Sequence, residues 1–232
     1  MRLPTFNFLS LVILAETFSL GRSCTTPPTS SNETYPRFSY GEDVVPDHAT
    51  AAYTMNHISL LVNDLEVSLD FYTRILGMRV IHHIEATEWF GIVYLGYSHG
   101  GRNGTGWQPS SELYRQRSNI EGLIELVYRS NQAGRREPGG TLSHLGFVVP
   151  DVAATQKRMR DNNVTIIRKA GELPQTLPKP RARAFGLLNL TKVENDAILK
   201  AMPRHLMVAD PDGNIVEFQP QIKDQSDCSH IL

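Results

Sequence analysis

Two histidines and two glutamates recur at equivalent places in the two halves of the sequence. The first half opens with His57-Ile-Ser-Leu-Leu-Val-Asn-Asp64, and the second with His144-Leu-Gly-Phe-Val-Val-Pro-Asp151. Each opening is followed by a segment with helical periodicity and then by an apolar segment that carries one carboxylate, Glu125 or Glu217. The shared order predicts two copies of one structural module.

These four residues have the chemistry of a metal site. Side chains alternate between the two faces of a strand, so we expect His57 to point away from the core and the larger apolar set beside it to point inward. A carboxylate in an apolar strand is costly to bury unless it is paired or metal-bound. Each residue alone also fits a half-exposed strand, but the fourfold coincidence favours one divalent metal (Zn, Ni, Co, Mn or Fe). The predicted ligands are His57, Glu125, His144 and Glu217.

Two further motifs have spacings typical of one superfamily. They are Ser68-Leu-Asp-Phe-Tyr-Thr-Arg-Ile-Leu-Gly-Met78 and Asp210-Pro-Asp-Gly213-Asn-Ile-Val-Glu217. With the two histidine segments they resemble glyoxalase I of the vicinal oxygen chelate superfamily, over about residues 53–220. The resemblance implies an α+β fold of paired βαβββ modules whose curved sheets surround one metal ion. The His, Glu, His, Glu order is similar to bacterial-type members, which favour nickel or cobalt, whereas the common eukaryotic type has Gln at position 57 and favours zinc.

The same resemblance implies an enzyme, a lactoylglutathione lyase-like isomerase. Its reaction converts the hemithioacetal of a 2-oxoaldehyde and glutathione into a 2-hydroxyacyl thioester. Glu217 is expected to be the principal base, and Glu125 the second carboxylate, able to join in proton transfer. One Ni, Co or Zn ion would stabilise the enediolate oxygens. A small-molecule substrate and a homodimer are the partners that the resemblance implies.

The sequence departs from glyoxalase I at the positions that hold glutathione. Leu61 and Gly140 stand where glutathione-using members have arginines. Each lost charge-assisted hydrogen bond is worth about 1.5–3 kcal/mol, so glutathione use is left open. Arg129 and the pair Arg135-Arg136 are candidates to replace the missing charges.

Two other interpretations therefore stay open. One is a metalloenzyme of the same superfamily with a non-glutathione substrate: a dioxygenase, epimerase or transferase. The second carboxylate argues against a dioxygenase, because iron oxygenases usually use two His and one carboxylate. Glu125 argues against a thiol transferase of the fosfomycin-resistance type, which has a His there. The other interpretation is a non-catalytic metal- or ligand-binding protein, which would not need paired proton carriers.

The amino terminus predicts export. Arg2 precedes an apolar run over residues 6–14, and Glu16 ends that run well short of the roughly 20 residues of a membrane span. Acceptor sequons for N-linked sugar follow at Asn32, Asn103, Asn163 and Asn189. We therefore expect a secreted glycoprotein with no membrane span.

The expected organisation is a signal peptide over residues 1–23, a flexible leader over 24–52, one glyoxalase-like domain over 53–220 and a tail over 221–232. Module one would span residues 53–131 and module two residues 141–220. Cys24 and Cys228 lie at opposite ends of the mature chain, so both a disulfide and two free thiols remain open.

Composition agrees with one compact catalytic unit. The chain has 232 residues with 41% hydrophobic content, enough for a full core, and its net charge of -1 gives no reason to expect nucleic acid or anionic membranes. Two long loops, residues 98–120 and 171–203, are candidate substrate walls. The other histidines of these modules, His82, His83, His99 and His205, are interpreted as solvated or unrelated to the site.

Overall fold

The predicted modules are well covered by the structure, a computed structural model. It describes residues 41–45, 47–100, 106–131, 141–172, 191, 192, 194, 196 and 202–221. Several sequence predictions lie outside these residues: the signal peptide, most of the leader, the C-terminal tail, Asn32, Asn103, Asn189, Arg135, Arg136, Gly140, Cys24 and Cys228.

Module one forms a four-stranded mixed sheet. Its strands are β1 (His57–Val62), β2 (Arg79–Thr87), β3 (Phe90–Gly96) and β4 (Leu123–Arg129). The order across the sheet is β1-β4-β3-β2, with β1 parallel to β4 and the other pairs antiparallel. The edge strand β1 is therefore next to the strand that carries Glu125.

Module two repeats this arrangement. Its strands are β5 (Leu145–Val149), β6 (Ile166–Arg168), β7 (Leu206–Ala209) and β8 (Ile215–Pro220). The order is β5-β8-β7-β6, again with one parallel pair at the edge. The predicted α+β fold of two βαβββ modules is confirmed.

Each module connects its first two strands by a helix that an aspartate caps. Asp64 accepts a hydrogen bond from Val67 N at the start of α1 (Leu65–Leu69), and Asp151 does the same for α3 (Val152–Asp161). The periodicity predicted one α-helix up to Gly77, but α1 gives way to π-helical turns over Asp70–Ile75. Gly77 still ends the segment at a positive φ of 79°, a conformation that favours glycine.

The inner faces of both sheets share one core. Alternation places Leu60 and Val62 of β1 inside, and Val216 and Phe218 of β8 join them. Phe71, Tyr72 and the other apolar residues of the π-helical segment fill the space between the modules. The two modules therefore bury a single hydrophobic interior, and each sheet leaves its other face for the four predicted ligands.

The first long loop contains a helix that the sequence did not indicate. α2 (Ser110–Gln116) continues into a 3-10 turn over Arg117–Asn119. Leu113 and Ile120 pack against Ile81 and Leu123, on the side of sheet one that the main core does not cover. The segment also contacts the residue before β1, because Asn56 donates hydrogen bonds to the carbonyls of Arg117 and Ile120. Within the described part of the chain, no helix is long and apolar enough to cross a membrane.

Candidate functional site

Sheet one brings His57 and Glu125 together. His57 is the first residue of β1, and its strand neighbour Ser59 lies opposite Glu125 of β4. His57 Nε2 is 3.9 Å from Glu125 Oε2, and Ser59 Oγ donates a hydrogen bond of 2.8 Å to Glu125 Oε1. The Glu125 side chain is only 14% exposed. We call this pair half-site one.

Sheet two brings His144 and Glu217 together in the same way. His144 immediately precedes β5, and Glu217 of β8 lies opposite Gly146, the position equivalent to Ser59. His144 Nε2 is 3.5 Å from Glu217 Oε2, and the Glu217 side chain is 9% exposed. We call this pair half-site two. Both pairs lie at the same strand positions, as the repeat predicts.

The residue before each histidine orients its ring. Asn56 donates from Nδ2 to the carbonyls of Arg117 and Ile120, at 2.8 and 2.6 Å, which fixes its amide. Asn56 Oδ1 then faces His57 Nδ1 at 3.0 Å and can only accept, so Nδ1 carries the proton. The Nε2 lone pair is left toward the carboxylate, the tautomer a metal ligand needs. Ser143 Oγ lies 3.0 Å from His144 Nδ1 in the equivalent place.

A third histidine lies beside Glu217. His205, just before β7, has its Nδ1 3.4 Å from Glu217 Oε1, opposite the edge that faces His144. Both atoms are buried and lack a partner with hydrogen-bond geometry among the described residues. Burial acts to raise the pKa of Glu217, but His205, His144 and Arg168 outweigh it, and the net pKa lies below the ordinary 4.5. Glu217 is therefore ionised at neutral pH.

His205 was set aside in the sequence analysis because it matches no ligand position of the repeat, but the structure places it beside Glu217. Comparing the two modules reveals only residues present in both, and His205 has no counterpart in module one. A usable signal was its spacing: His205 precedes β7 by one residue, so strand alternation puts it on the face of Met207, which pairs with Glu217.

The strands beyond each glutamate carry different residues in the two modules. Across sheet one, Glu125 pairs with Tyr94 of β3, and Tyr94 pairs with His82 of β2. Across sheet two, Glu217 pairs with Met207 of β7, and Met207 pairs with Arg168 of β6. Burial, with a contribution from Glu125, raises the pKa of Tyr94 to about 12, so its phenol stays protonated. The two half-sites thus have equivalent ligands and unlike surroundings.

His82 and His83 were both expected to be solvated, and His82 is not. Its ring stacks on Tyr94 with centroids 4.6 Å apart, and its Nδ1 is buried without a partner among the described residues. Burial first, and then the charge of Arg117, lower the pKa of His82. His83 is more open and has its Nε2 3.0 Å from Tyr128 Oη.

Within the described part of one chain, no three His, Cys, Asp or Glu side chains are arranged to hold a metal ion. His57 and His144 both line a cleft of about 580 Å³ between the edge strands β1 and β5. Glu125 and Glu217 do not line it. Metal ligation by the four residues stays a prediction: the structure forms two pairs and does not join them.

Of the two positions that differ from glutathione-using members, Leu61 lies within the described residues and Gly140 lies outside them. Leu61 is 48% exposed and lies on the same face of β1 as His57. Its side chain reaches solvent there but cannot provide the positive charge of an arginine. Arg129 lies over the Phe90 ring, 5.3 Å from its centroid, at the end of β4.

Solved structures of glyoxalase I are similar to the chain at low identity. The trypanothione-dependent glyoxalase I of Leishmania major is 22% identical, with 73% of this chain and 87% of that chain covered and a TM-score of 0.43. Glyoxalase I from Zea mays is 17% identical, with 71% and 43% covered and a TM-score of 0.45. Similarity at this level does not indicate a shared substrate.

Sequence comparison is more informative. The chain is 30% identical over 134 residues to lactoylglutathione lyase of Pseudomonas aeruginosa, covering 53% of this chain and 73% of that protein. It is 29% identical over 116 residues to the protein of that name in Escherichia coli O157:H7, covering 50% and 72%. A family model matches residues 54–218. The chain therefore belongs to the Glyoxalase/Bleomycin resistance protein/Dioxygenase superfamily.

Proposed function

We propose that the protein is a metal-dependent enzyme of the glyoxalase I type. Its reaction would be the isomerisation of the hemithioacetal of a 2-oxoaldehyde and a thiol to a 2-hydroxyacyl thioester. The observation that carries the proposal is the pair of equivalent half-sites, each with an imidazole Nε2 facing a largely buried carboxylate. Relatives named lactoylglutathione lyase, at 28–31% identity, support an enzyme of this superfamily.

The donor set fits a divalent metal. Nε2 of His57 and Nε2 of His144 face the carboxylates of Glu125 and Glu217 at 3.9 and 3.5 Å, so these are the nitrogens that would bind the ion. Glu217 Oε1 makes no hydrogen bond of good geometry with the described residues, although His205 Nδ1 lies 3.4 Å away, so this oxygen has a lone pair open to a cation. Two imidazoles and two carboxylates suit Ni, Co or Zn. Such an ion would supply Lewis-acid stabilisation of the negative charge that develops on two adjacent substrate oxygens.

The glutamates would move the proton. The reaction requires removal of a carbon-bound proton next to a carbonyl and its return to the neighbouring carbon. Glu217 is ionised at neutral pH, so its carboxylate is in the form that can accept a proton. Glu125 would occupy the opposite side of the substrate, with its Oε1 held by Ser59.

A second copy of the chain would complete the site. Each chain supplies two halves that do not join, so a two-fold dimer in which half-site one of each chain meets half-site two of the other creates two equivalent centres. The free edges of β1 and β5, beside which both histidines lie, are the surfaces where the halves would meet.

The thiol would be glutathione or a related carboxylate-bearing thiol. Leu61 does not supply the arginine that holds it in family members, so the binding charge would have to come from elsewhere in the chain. Turnover of methylglyoxal with glutathione, compared with cysteamine as the thiol, distinguishes recognition of glutathione from general thiol use.

Mixing two inactive variants tests both the reaction and the shared site. We expect Glu125→Gln and Glu217→Gln each to lower turnover at least about 100-fold while the fold is kept. In a mixed dimer, one centre receives both substitutions and the other receives neither. Co-refolding equal amounts should therefore restore about one quarter of wild-type turnover, because half of the dimers are mixed and each has one intact centre.

The outcomes separate two errors. Wild-type-like turnover by Glu217→Gln would rule out the proposed base. If both variants are inactive and their mixture does not recover, the site closes within one chain and the dimer proposal is wrong. Glu88→Gln, which alters an exposed glutamate in the turn between β2 and β3, is the matched control and should keep full turnover.

We also propose export and N-glycosylation. The support is the charged and apolar amino terminus together with four sequons. Asn163, the sequon residue within the described part of the chain, is exposed at the end of α3 and has a positive φ of 55°. Such a position leaves its amide open to solvent.

A further inference from the structure

A small cavity lies beside half-site one, on the same face of sheet one. It has a volume of about 240 Å³, and its walls include Tyr94, His82, Ile84, Ile92, Arg117 and Ser118. We call it the Arg117 cavity. Tyr94 stands opposite Glu125 in the sheet, so the cavity begins one strand away from the predicted proton carrier.

A continuous series of ring contacts leads from the metal half-site to the far end of this cavity. The His57 and Tyr94 rings meet edge to face at 5.2 Å, Tyr94 stacks on His82 at 4.6 Å, and His82 meets Tyr114 at 5.2 Å. The Arg117 guanidinium closes the series, 4.0 Å from the Tyr114 ring centroid. A ligand lying along these rings would have one end near Glu125 and the other near a cation.

Arg117 is available for an anion. Its Nη1 donates to the Tyr114 carbonyl at 2.8 Å, which orients the guanidinium and leaves its other donors free of the main chain. Among the residues that the structure describes, no carboxylate lies within ion-pair distance of Arg117. Its positive charge reaches the cavity, because it contributes to lowering the pKa of His82.

The walls favour a carboxylate attached to an apolar or planar group. Ile84 and Ile92 supply apolar surface, and the unpartnered Nδ1 of His82 is buried in the wall. A guanidinium fork matches a carboxylate geometrically, and a single cation balances one negative charge better than the two of a phosphate.

We propose that the Arg117 cavity binds a carboxylate of the non-reacting end of the substrate, with Arg117 as the residue that selects it. The proposal rests on the proposed function in one respect: the carboxylate is taken to belong to the thiol part of the adduct. Arg117 lies in the segment after α2 and takes over the charge that Leu61 does not provide.

Binding of inert ligands tests the proposal without turnover. The probes are S-hexylglutathione and its diethyl ester, titrated by calorimetry into the metal-loaded full-length protein. We expect wild type to bind the acid at least about tenfold more tightly than the ester. Arg117→Gln should weaken acid binding about 10- to 100-fold and leave ester binding unchanged.

Two further variants make the result specific. Arg115→Gln removes an exposed arginine of α2, two residues before Arg117, and should bind both probes like wild type. Arg117→Lys keeps the charge without the fork and should bind the acid with an affinity between those of wild type and Arg117→Gln. Unchanged ester binding in Arg117→Gln shows that the cavity has kept its shape.

The proposal is overturned if Arg117→Gln binds the acid as tightly as wild type, or if wild type shows no preference for the acid. Turnover of methylglyoxal with glutathione, measured in parallel, separates the two proposals. Turnover without an Arg117-dependent acid preference leaves the reaction and removes the Arg117 cavity as its selector. An Arg117-dependent preference for the acid without turnover would support the Arg117 cavity and contradict the proposed reaction.

Discussion

At the residue scale, the four predicted ligands lie in two pairs because they occupy equivalent strand positions. A His at the start of the edge strand and a Glu in the neighbouring strand face each other in both sheets. Strand alternation and the repeat were enough to predict which face each residue takes. They could not predict that the pairs stay apart within one chain, because that depends on how the sheets pack and not on strand periodicity.

Comparing the two modules of the sequence could not reveal site residues that occur in only one module. His205 contacts Glu217 in module two, whereas Tyr94 and His82 extend the site in module one. None of them has a chemical equivalent in the other module. The two half-sites therefore have equivalent predicted ligands but different neighbouring side chains.

His205 should strengthen metal binding by holding Glu217. A residue that orients a metal ligand typically changes metal affinity 10- to 100-fold when it is removed. We therefore expect His205→Gln to weaken the affinity for Ni²⁺ about tenfold or more, measured by competition with a coloured chelator. His48→Gln, in the exposed leader, is the control. An affinity equal to that of wild type would show that His205 only fills space.

At the scale of elements, the helix caps were predictable and the irregular helices were not. Asp64 and Asp151 cap α1 and α3 as their sequence positions indicate, and the Asp210-Pro-Asp-Gly213 motif forms the expected turn, with Gly213 N bonded to Asp210 O at 3.0 Å. The π-helical turns after α1 depend on packing between the modules, which a local pattern does not contain. Likewise, α2 is held by apolar contacts with distant strands.

The turn before β8 also joins the modules. Asp212 is buried and accepts hydrogen bonds from Asn63 N at 2.9 Å, Asn63 Nδ2 at 2.7 Å and Ser68 Oγ at 3.1 Å. Asp210 accepts a hydrogen bond of 2.8 Å from the buried Tyr72 hydroxyl. Module two therefore accepts hydrogen bonds from polar groups at the start of α1 and from the segment that follows it.

Removing the Asp212 carboxylate should destabilise the whole domain. Asp212→Ala removes the acceptor of these three hydrogen bonds, and we expect the free energy of unfolding in urea to fall by about 3 kcal/mol. The control is Asp161→Ala, which removes an exposed ion pair with Lys157 and should cost less than about 1 kcal/mol. Equal effects of the two substitutions would contradict the role given to Asp212.

At the scale of the whole molecule, length and composition predict one compact domain, and one hydrophobic core contains residues of both sheets. Family membership, fold and the βαβββ repeat were all within reach of the sequence. The substrate was not, because Leu61 and Gly140 remove the residues that would have identified the thiol. The residue that we propose in their place, Arg117, lies in the segment after α2, and that segment packs against strands distant in sequence.

The export proposal is testable at Asn163. In a eukaryotic secretory host, we expect Asn163→Gln to remove one glycan, seen as a smaller mass shift on glycosidase treatment, because the wild-type side chain is exposed beside α3. Asn162→Gln changes the neighbouring residue outside the sequon and should keep all glycans. Identical glycan numbers in wild type and Asn163→Gln would mean that this site is not used.

The contacts of Asp210 and Asp212 with module one also determine when the chain can fold during synthesis. Module one leaves the ribosome first, but the acceptors for Asn63 and Ser68 emerge only with the last part of module two. Until then Ser68 lacks its acceptor on Asp212, and the inner face of sheet one packs only against its own helical segment and not against Val216 and Phe218 of sheet two. The first module should therefore stay unfolded until nearly the whole domain has been translated, a state in which a chain can still be threaded through a translocation channel.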